Sequence, residues 1–247
     1  MKKKFKYLLG TVVALLVLSF LLIYLLASSH EEVFPNKDAV NYNYGFYHED
    51  IEKDWSTVNL DSSNQTFKMT YKLSRATRNP FVAGFIVKND SVKTLANYSK
   101  HNMFRIHLKS NAGMRIPIML TFSYKEGEKK KNGKAFPMLT LLKFVDYNEP
   151  GYYDISLDEF TIPDWWYRVH RLHRDEVDMA KVTYVRGVII GSCSLLRENI
   201  TDSIEVESIA FYSDNSTLYL TTFIVLLLLT AISLVVLFRK KVRIRQW

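Results

Sequence analysis

Cysteine is almost absent from this sequence, since Cys193 is the only one in 247 residues. An intramolecular disulfide is therefore excluded, and stability must come from a packed core. Residues 191–194 supply no base that would activate the thiol, so Cys193 is interpreted as a small buried side chain. The chain also lacks a glycine-rich phosphate loop, a GxSxG elbow and an HExxH motif, which argues against the familiar hydrolases.

Acidic residues are missing from both ends of the chain, where nine cations cluster instead: Lys2, Lys3, Lys4, Lys6, Arg239, Lys240, Lys241, Arg243 and Arg245. Each basic end borders a run of 21 uncharged residues, 7–27 and 218–238. A membrane-spanning helix needs about 20 apolar residues, and short cytoplasmic segments are rich in Lys and Arg. The sequence therefore predicts a two-pass protein of the cytoplasmic membrane, with the lipid bilayer as partner, cytoplasmic segments 1–6 and 239–247, and an exported block between the spans.

A cleaved signal peptide is the alternative interpretation of the first run, with Ala27, Ser28 and Ser29 as the cleavage site. The run is longer than a usual signal-peptide core of about 7–15 residues, which favours a retained span. In either case the central block is exported. Two helices cannot enclose a pore without oligomerising, so a multi-span channel or transporter is excluded.

The overall positive charge belongs to the ends of the chain. The sequence has 33 Lys and Arg against 25 Asp and Glu, so setting aside the nine terminal cations leaves 24 against 25 and a net charge of about −1. The isoelectric point of 9.3 thus reflects membrane anchoring. We expect no nucleic acid to bind this chain.

The exported block shows the pattern of a mainly β protein. Residues 28–44 are polar and without periodicity, which is typical of a linker. Residues 45–217 contain short alternating runs between turn clusters, which predict a jelly-roll β-sandwich flanked by the two transmembrane helices. Nine strands are expected, over 55–60, 66–73, 81–88, 103–108, 116–124, 136–147, 152–157, 182–190 and 204–212.

One segment breaks the alternation. Over residues 164–176, Trp165, Trp166, Val169 and Leu172 recur at helical intervals, and Asp164 suits an N-cap. The pattern predicts a short amphipathic helix that closes one end of the sandwich.

Candidate metal ligands in this segment are His170, His173, Asp175 and Glu176. The histidines are three residues apart rather than four, and neighbouring arginines repel a cation. The carboxylates of Asp154, Asp158 and Glu159 offer paired acid–base groups, but acidic side chains are common on exported loops. We therefore expect no metal, no cofactor and no enzymatic activity.

Aromatic residues are the more informative feature, with 15 Tyr, 15 Phe and 4 Trp. Exposed aromatic rings on a β-sandwich offer a flat platform for a sugar ring. Tryptophan is mostly buried on average, so at least one of Trp165 and Trp166 should belong to the core. The candidate ligand-binding residues are Trp55, Trp165, Trp166 and Tyr167, with Tyr152 and Tyr153 as weaker candidates.

The end of the exported block resembles a known family. Residues 161–190 read TIPDWWYRVHRLHRDEVDMAKVTYVRGVII, and residues 202–215 read DSIEVESIAFYSDN. Together they resemble the last strands of galactose-binding-like jelly rolls, a group that includes carbohydrate-binding modules. The resemblance implies a jelly-roll fold and a carbohydrate or other envelope ligand. The fold also serves as a generic sensor domain, so the resemblance says little about the ligand.

The wider layout looks like the sensory half of bacterial membrane-bound regulators with an AraC-type output domain. Here the sequence stops nine residues past the second span, so the expected output is a missing segment or a separate cytoplasmic protein. We predict a sensor that binds its ligand outside the cytoplasm and signals through the spans, with a homodimer as one arrangement. A non-signalling carbohydrate-binding or structural envelope protein is the alternative.

Overall fold

The computed structural model describes residues 17, 19, 30–34, 42–48, 57–61, 66–73, 81–88, 96–97, 100–111, 114–124, 137–179, 182–192, 200–215, 219–229 and 232. The chain divides into two compact units, His30–Ser213 and the terminal stretches Met1–Ser29 with Asp214–Trp247. Most of the predicted spans, like Cys193, lies outside the described residues, although residues 219–229 are helical. Within the described part of the chain, no helix is both long enough and apolar enough to cross a membrane.

The unit His30–Ser213 is a sandwich of two antiparallel sheets. Sheet A has the order β10 (Gly151–Ser156), β7 (Met103–Ser110), β12 (Asp202–Tyr212), β4 (Phe67–Lys72) and β3 (Thr57–Asp61), and β1 (His30–Phe34) also pairs with β12. Sheet B has the order β2 (Tyr42–His48), β5 (Val82–Lys88), β11 (Val182–Gly191), β8 (Met114–Tyr124) and β9 (Leu139–Tyr147), and β6 (Ala96–Asn97) also pairs with β11. All nine predicted strands are present. The prediction of a mainly β sandwich is confirmed, and the arrangement is consistent with a jelly roll.

The core lies between the inner faces of the two sheets. In β4, Phe67, Met69 and Tyr71 are buried while the alternate side chains face outward, as the alternating sequence predicts. The sheets meet closely at Gly84 of β5, where an added Cβ would lie 2.2 Å from Cζ of Phe67. Glycine is therefore required at this crossing because the Phe67 ring occupies the space of a side chain.

The predicted linker over 28–44 is wrong for His30–Phe34, which forms β1 and pairs antiparallel with β12. Val33 and Phe34 are buried in the core. The polar residues at the start of this short strand are exposed, so too few apolar positions alternate to reveal it. The second strand, Tyr42–His48, also begins inside the predicted linker.

The predicted helix over 164–176 is shorter than expected. Helix α1 spans Asp164–His170, and its N-cap is Pro163 rather than Asp164. Arg171 takes a left-handed conformation with φ of 52°, and the Leu172 amide donates a hydrogen bond of 3.1 Å to the Tyr167 carbonyl. The left-handed Arg171 ends the helix, Leu172 after it is buried, and the chain continues as a 3₁₀ turn at Arg174–Glu176.

Candidate functional site

The outer face of sheet A carries a compact group of aromatic and charged side chains. The strand alternation that buries Phe104 and Ile106 turns their neighbours on β7 outward. Pairing of β10 and β12 with β7 brings further side chains beside them. We call this group the sheet A cluster, and its members are Arg105, His107, Tyr152, Asp154 and Tyr212.

Arg105 and Asp154 form the centre of the sheet A cluster. The guanidinium donates two hydrogen bonds to the carboxylate, from Nε at 2.6 Å and from Nη2 at 2.9 Å. Its Cζ lies 4.9 Å from the Tyr212 ring centre and 5.7 Å from that of Tyr152. The bond from Arg105 lowers the pKa of Asp154, so the carboxylate stays ionised. The cluster therefore holds the guanidinium donors of Arg105 and the carboxylate acceptors of Asp154 side by side in a fixed arrangement.

Tyr152 supplies the flat apolar surface of the cluster. It is 64% exposed, compared with 40% for Tyr184 on sheet B. Its ring lies 4.4 Å from that of His107 between centroids and is tilted by 36° to it. An exposed ring held by two neighbours loses little freedom when a ligand stacks on it.

A line of polar contacts and ion pairs continues past His107 across the same face. His107 Nδ1 lies 2.5 Å from Oε2 of Glu207, and Glu207 also accepts a hydrogen bond from Lys109. The bond from Lys109 lowers the pKa of Glu207. Glu205 lies between Lys109 and Lys68, at 4.0 and 3.9 Å. Opposite charges alternate along this line, so the face has no large excess of either sign.

A β-bulge places Glu207 in this line. The register of β12 against β7 shifts between Val206 and Ser208. Such an extra residue changes the direction of the side chains around it. Neither the bulge nor the cross-strand contacts can be seen in the alternation of β12 alone.

The predicted ligand-binding residues are dispersed. Trp166 is 1% exposed and its Nε1 donates to the Met138 carbonyl at 3.0 Å, so its prediction as a stacking residue conflicts with its place in the core. Its neighbour Trp165 is 41% exposed. The burial of Trp166 therefore confirms the prediction that at least one of the two tryptophans belongs to the core. Tyr153 packs on the core and its hydroxyl donates to the Glu149 carbonyl. Tyr167 is half-buried within α1, and Trp55 lies outside the described residues.

Of the predicted residues, only Tyr152 lies in the sheet A cluster. Arg105, His107 and Tyr212 were missed as site residues. The alternation of residues 103–108 places Arg105 and His107 on the face opposite the buried one, and this pattern could have identified them as surface candidates. The strand order that brings Tyr212 beside Arg105 depends on long-range pairing, so periodicity could not reveal it.

The remaining titratable candidates have structural partners. Glu159 accepts a hydrogen bond of 2.6 Å from Lys143 and another from the Ser156 amide, and the Lys143 bond lowers its pKa. The His170 ring packs 4.7 Å from that of Trp166. The His173 amide donates to Glu176 at 2.7 Å.

Solved structures with a similar chain trace include carbohydrate-binding proteins. The family 11 carbohydrate-binding module of a Clostridium thermocellum cellulosomal cellulase has a TM-score of 0.46 and 11% identity, over 74% of this chain and 94% of that one. A family 11 module from the same organism, in complex with a β-1,3-1,4-mixed-linked tetrasaccharide, has a TM-score of 0.45 and 10% identity with the same coverage. A family 12 xyloglucanase from Bacillus licheniformis has a TM-score of 0.37 and 10% identity, over 74% of this chain and 98% of that one. No protein-family model and no curated protein matches the sequence.

Proposed function

We propose that this chain is a membrane-anchored extracytoplasmic receptor whose sheet A cluster binds a glycan. The observation that carries the proposal is the exposed Tyr152 ring beside the Arg105–Asp154 pair. An aromatic face can stack on a sugar ring, while a fixed guanidinium and carboxylate offer donors and acceptors to its hydroxyls. The balanced charges along the face favour a neutral glycan over a polyanion.

The binding test uses the full chain in detergent and native gels that contain a soluble polysaccharide, such as a mixed-linkage glucan, a xylan or a mannan. We expect at least one polysaccharide to retard the protein and Tyr152→Ala to abolish most of the retardation. Tyr184→Ala is the matched control, because Tyr184 is also an exposed strand tyrosine but belongs to sheet B. Equal retardation of the wild type and Tyr152→Ala would contradict this site.

The same cluster supports a signalling role because Tyr212 lies at the end of its domain. Tyr212 pairs with His30 at the start of β1, so the entering and leaving segments lie side by side. The residues before β7 contact both segments: the Asn102 amide donates to the Tyr212 carbonyl of the leaving segment, and His101 Nε2 lies 3.2 Å from Oε2 of Glu31 in the entering segment. A ligand that moves Tyr212 would therefore displace the point where the chain leaves the domain, as an input module of a regulator requires.

Hydrogen exchange distinguishes this receptor from a non-signalling carbohydrate-binding or structural envelope protein. With a retarding polysaccharide, the full chain should show altered exchange in the amides of residues 30–34 and 208–213. Tyr212→Phe keeps the ring under Arg105 but removes the hydroxyl bond to Asp154, and it should retain binding while reducing that response. Binding without any change at these amides would favour the non-signalling alternative.

Three carboxylates have pKa shifts opposite in direction to the shift that a catalytic acid needs, which supports the proposed non-catalytic role. A glycosidase needs one carboxyl group whose pKa is raised, so that it can act as a general acid. Cations lower the pKa of Asp154, Glu159 and Glu207 instead. The proposed localisation, with both termini in the cytoplasm and the main domain outside, follows from the two apolar runs and their basic flanks.

A further inference from the structure

A cleft of roughly 570 Å³ lies beside α1 and shares no residue with the sheet A cluster. Its floor is apolar, formed by the buried Leu141 and Phe160 together with Ile162. Met179 adds a flexible apolar wall. Polar and apolar side chains share the lining of the cleft, and its volume is that of a small-molecule site.

One edge of the cleft carries two opposite charges at hydrogen-bond distance. Nη2 of Arg174 lies 2.6 Å from Oδ1 of Asp164, and the two side chains are 77% and 73% exposed. The guanidinium also lies 5.8 Å from the ring centre of Tyr167. An exposed pair of this kind contributes little to stability, so a ligand can replace it at small cost.

The Tyr167 hydroxyl is a third polar group at this edge. Partial burial raises its pKa, which shows that water solvates it incompletely. It forms no side-chain hydrogen bond with any residue that the structure describes. A ligand in the cleft could therefore form a hydrogen bond with this hydroxyl.

The ligand that fits these groups carries a cation and an anion close together, next to an apolar body. A purely anionic ligand would engage Arg174 but leave Asp164 unpaired, and a purely cationic one would do the reverse. A zwitterion satisfies both at once. We propose that the cleft binds a free α-amino acid with an apolar side chain, its carboxylate on Arg174, its ammonium on Asp164 and its side chain on the Phe160 floor.

The test measures binding of L-leucine and L-phenylalanine to the full chain in detergent by saturation-transfer NMR, with two single-charge analogues as probes. N-acetyl-leucine lacks the ammonium, and leucinamide lacks the carboxylate. We expect saturable binding of at least one amino acid and a loss of about tenfold or more in affinity for both analogues, since each lacks one of the two charge-assisted hydrogen bonds to the cleft. This comparison needs no variant of the protein.

Variants locate the site. Arg174→Gln and Asp164→Asn should each weaken amino-acid binding by about tenfold. Arg168→Gln is the matched control, because Arg168 is an exposed arginine on α1, the helix of Asp164, but does not line the cleft. The proposal is overturned if neither amino acid binds, if the analogues bind as well as leucine, or if Arg174→Gln binds normally. The glycan proposal is unaffected by any of these results, because the sheet A cluster is tested separately with polysaccharide.

Discussion

The two sheets are alike on their inner faces and unlike on their outer faces. Across sheet B, a single row of cross-strand partners on the outer face is apolar, formed by Phe85, Ile189, Met119 and Leu142. The corresponding face of sheet A carries the sheet A cluster and its ion pairs. Packing accounts for the buried side chains of both sheets, whereas half-exposed ion pairs add little to stability. The charged face of sheet A therefore contributes little to folding and is available for the proposed glycan contact.

The contrast between inside and outside is sharpest at two adjacent tryptophans. Trp166→Ala should lower the free energy of unfolding by about 3–5 kcal/mol, because it opens a cavity in the core and removes the bond to the Met138 carbonyl. Trp165→Ala, at an exposed neighbour, should change it by less than about 1 kcal/mol. Urea unfolding followed by circular dichroism measures both. Similar losses for the two variants would contradict the assignment of Trp166 alone to the core.

The contact between the sheets is tested at Gly84. Gly84→Val should lower the free energy of unfolding by about 1–3 kcal/mol, because the new side chain would overlap the Phe67 ring. Gly151→Ala is the matched control, since an added Cβ there meets no atom within 4 Å. Equal stability of Gly84→Val and the wild type in the same unfolding experiment would show that the sheets do not meet as described.

The charged centre of the sheet A cluster should have a smaller and pH-dependent effect. Arg105→Gln should destabilise the protein at pH 7 by about 1 kcal/mol or less, because both partners are 39% exposed. Arg105 lowers the pKa of Asp154 below its ordinary value of 3.8. The contribution of the pair is therefore present above that pH and is lost as the pH falls through the folded-state pKa. Unfolding curves of the wild type and the variant should converge on acidification, and a constant difference would contradict the pairing.

The positions of most strands could be predicted from the sequence, but not which strands pair with each other in the sheets. Alternation in 66–73 and 103–108 was sufficient because one face of each strand is buried. β1 was hidden because it offers only Val33 and Phe34 to the core. The site was harder to predict, since Arg105, Asp154 and Tyr212 come together through pairing between strands that are far apart in sequence. Aromatic content indicated a platform, but burial, which separates Trp166 from Tyr152, depends on the tertiary structure.

The smallest expected effect is on the outer face of sheet B. Phe144 is 38% exposed under the Arg115 guanidinium, so Phe144→Ala should change the free energy of unfolding by about 0.5 kcal/mol and leave polysaccharide retardation unchanged. Tyr152→Ala should be similarly mild in stability, because Tyr152 is also an exposed strand aromatic, yet it should abolish retardation. The two variants should therefore lose similar amounts of unfolding free energy and differ only in which sheet face has lost an aromatic ring. Loss of retardation in Phe144→Ala with retention in Tyr152→Ala would move glycan binding to sheet B and leave the charged face of sheet A without its proposed role.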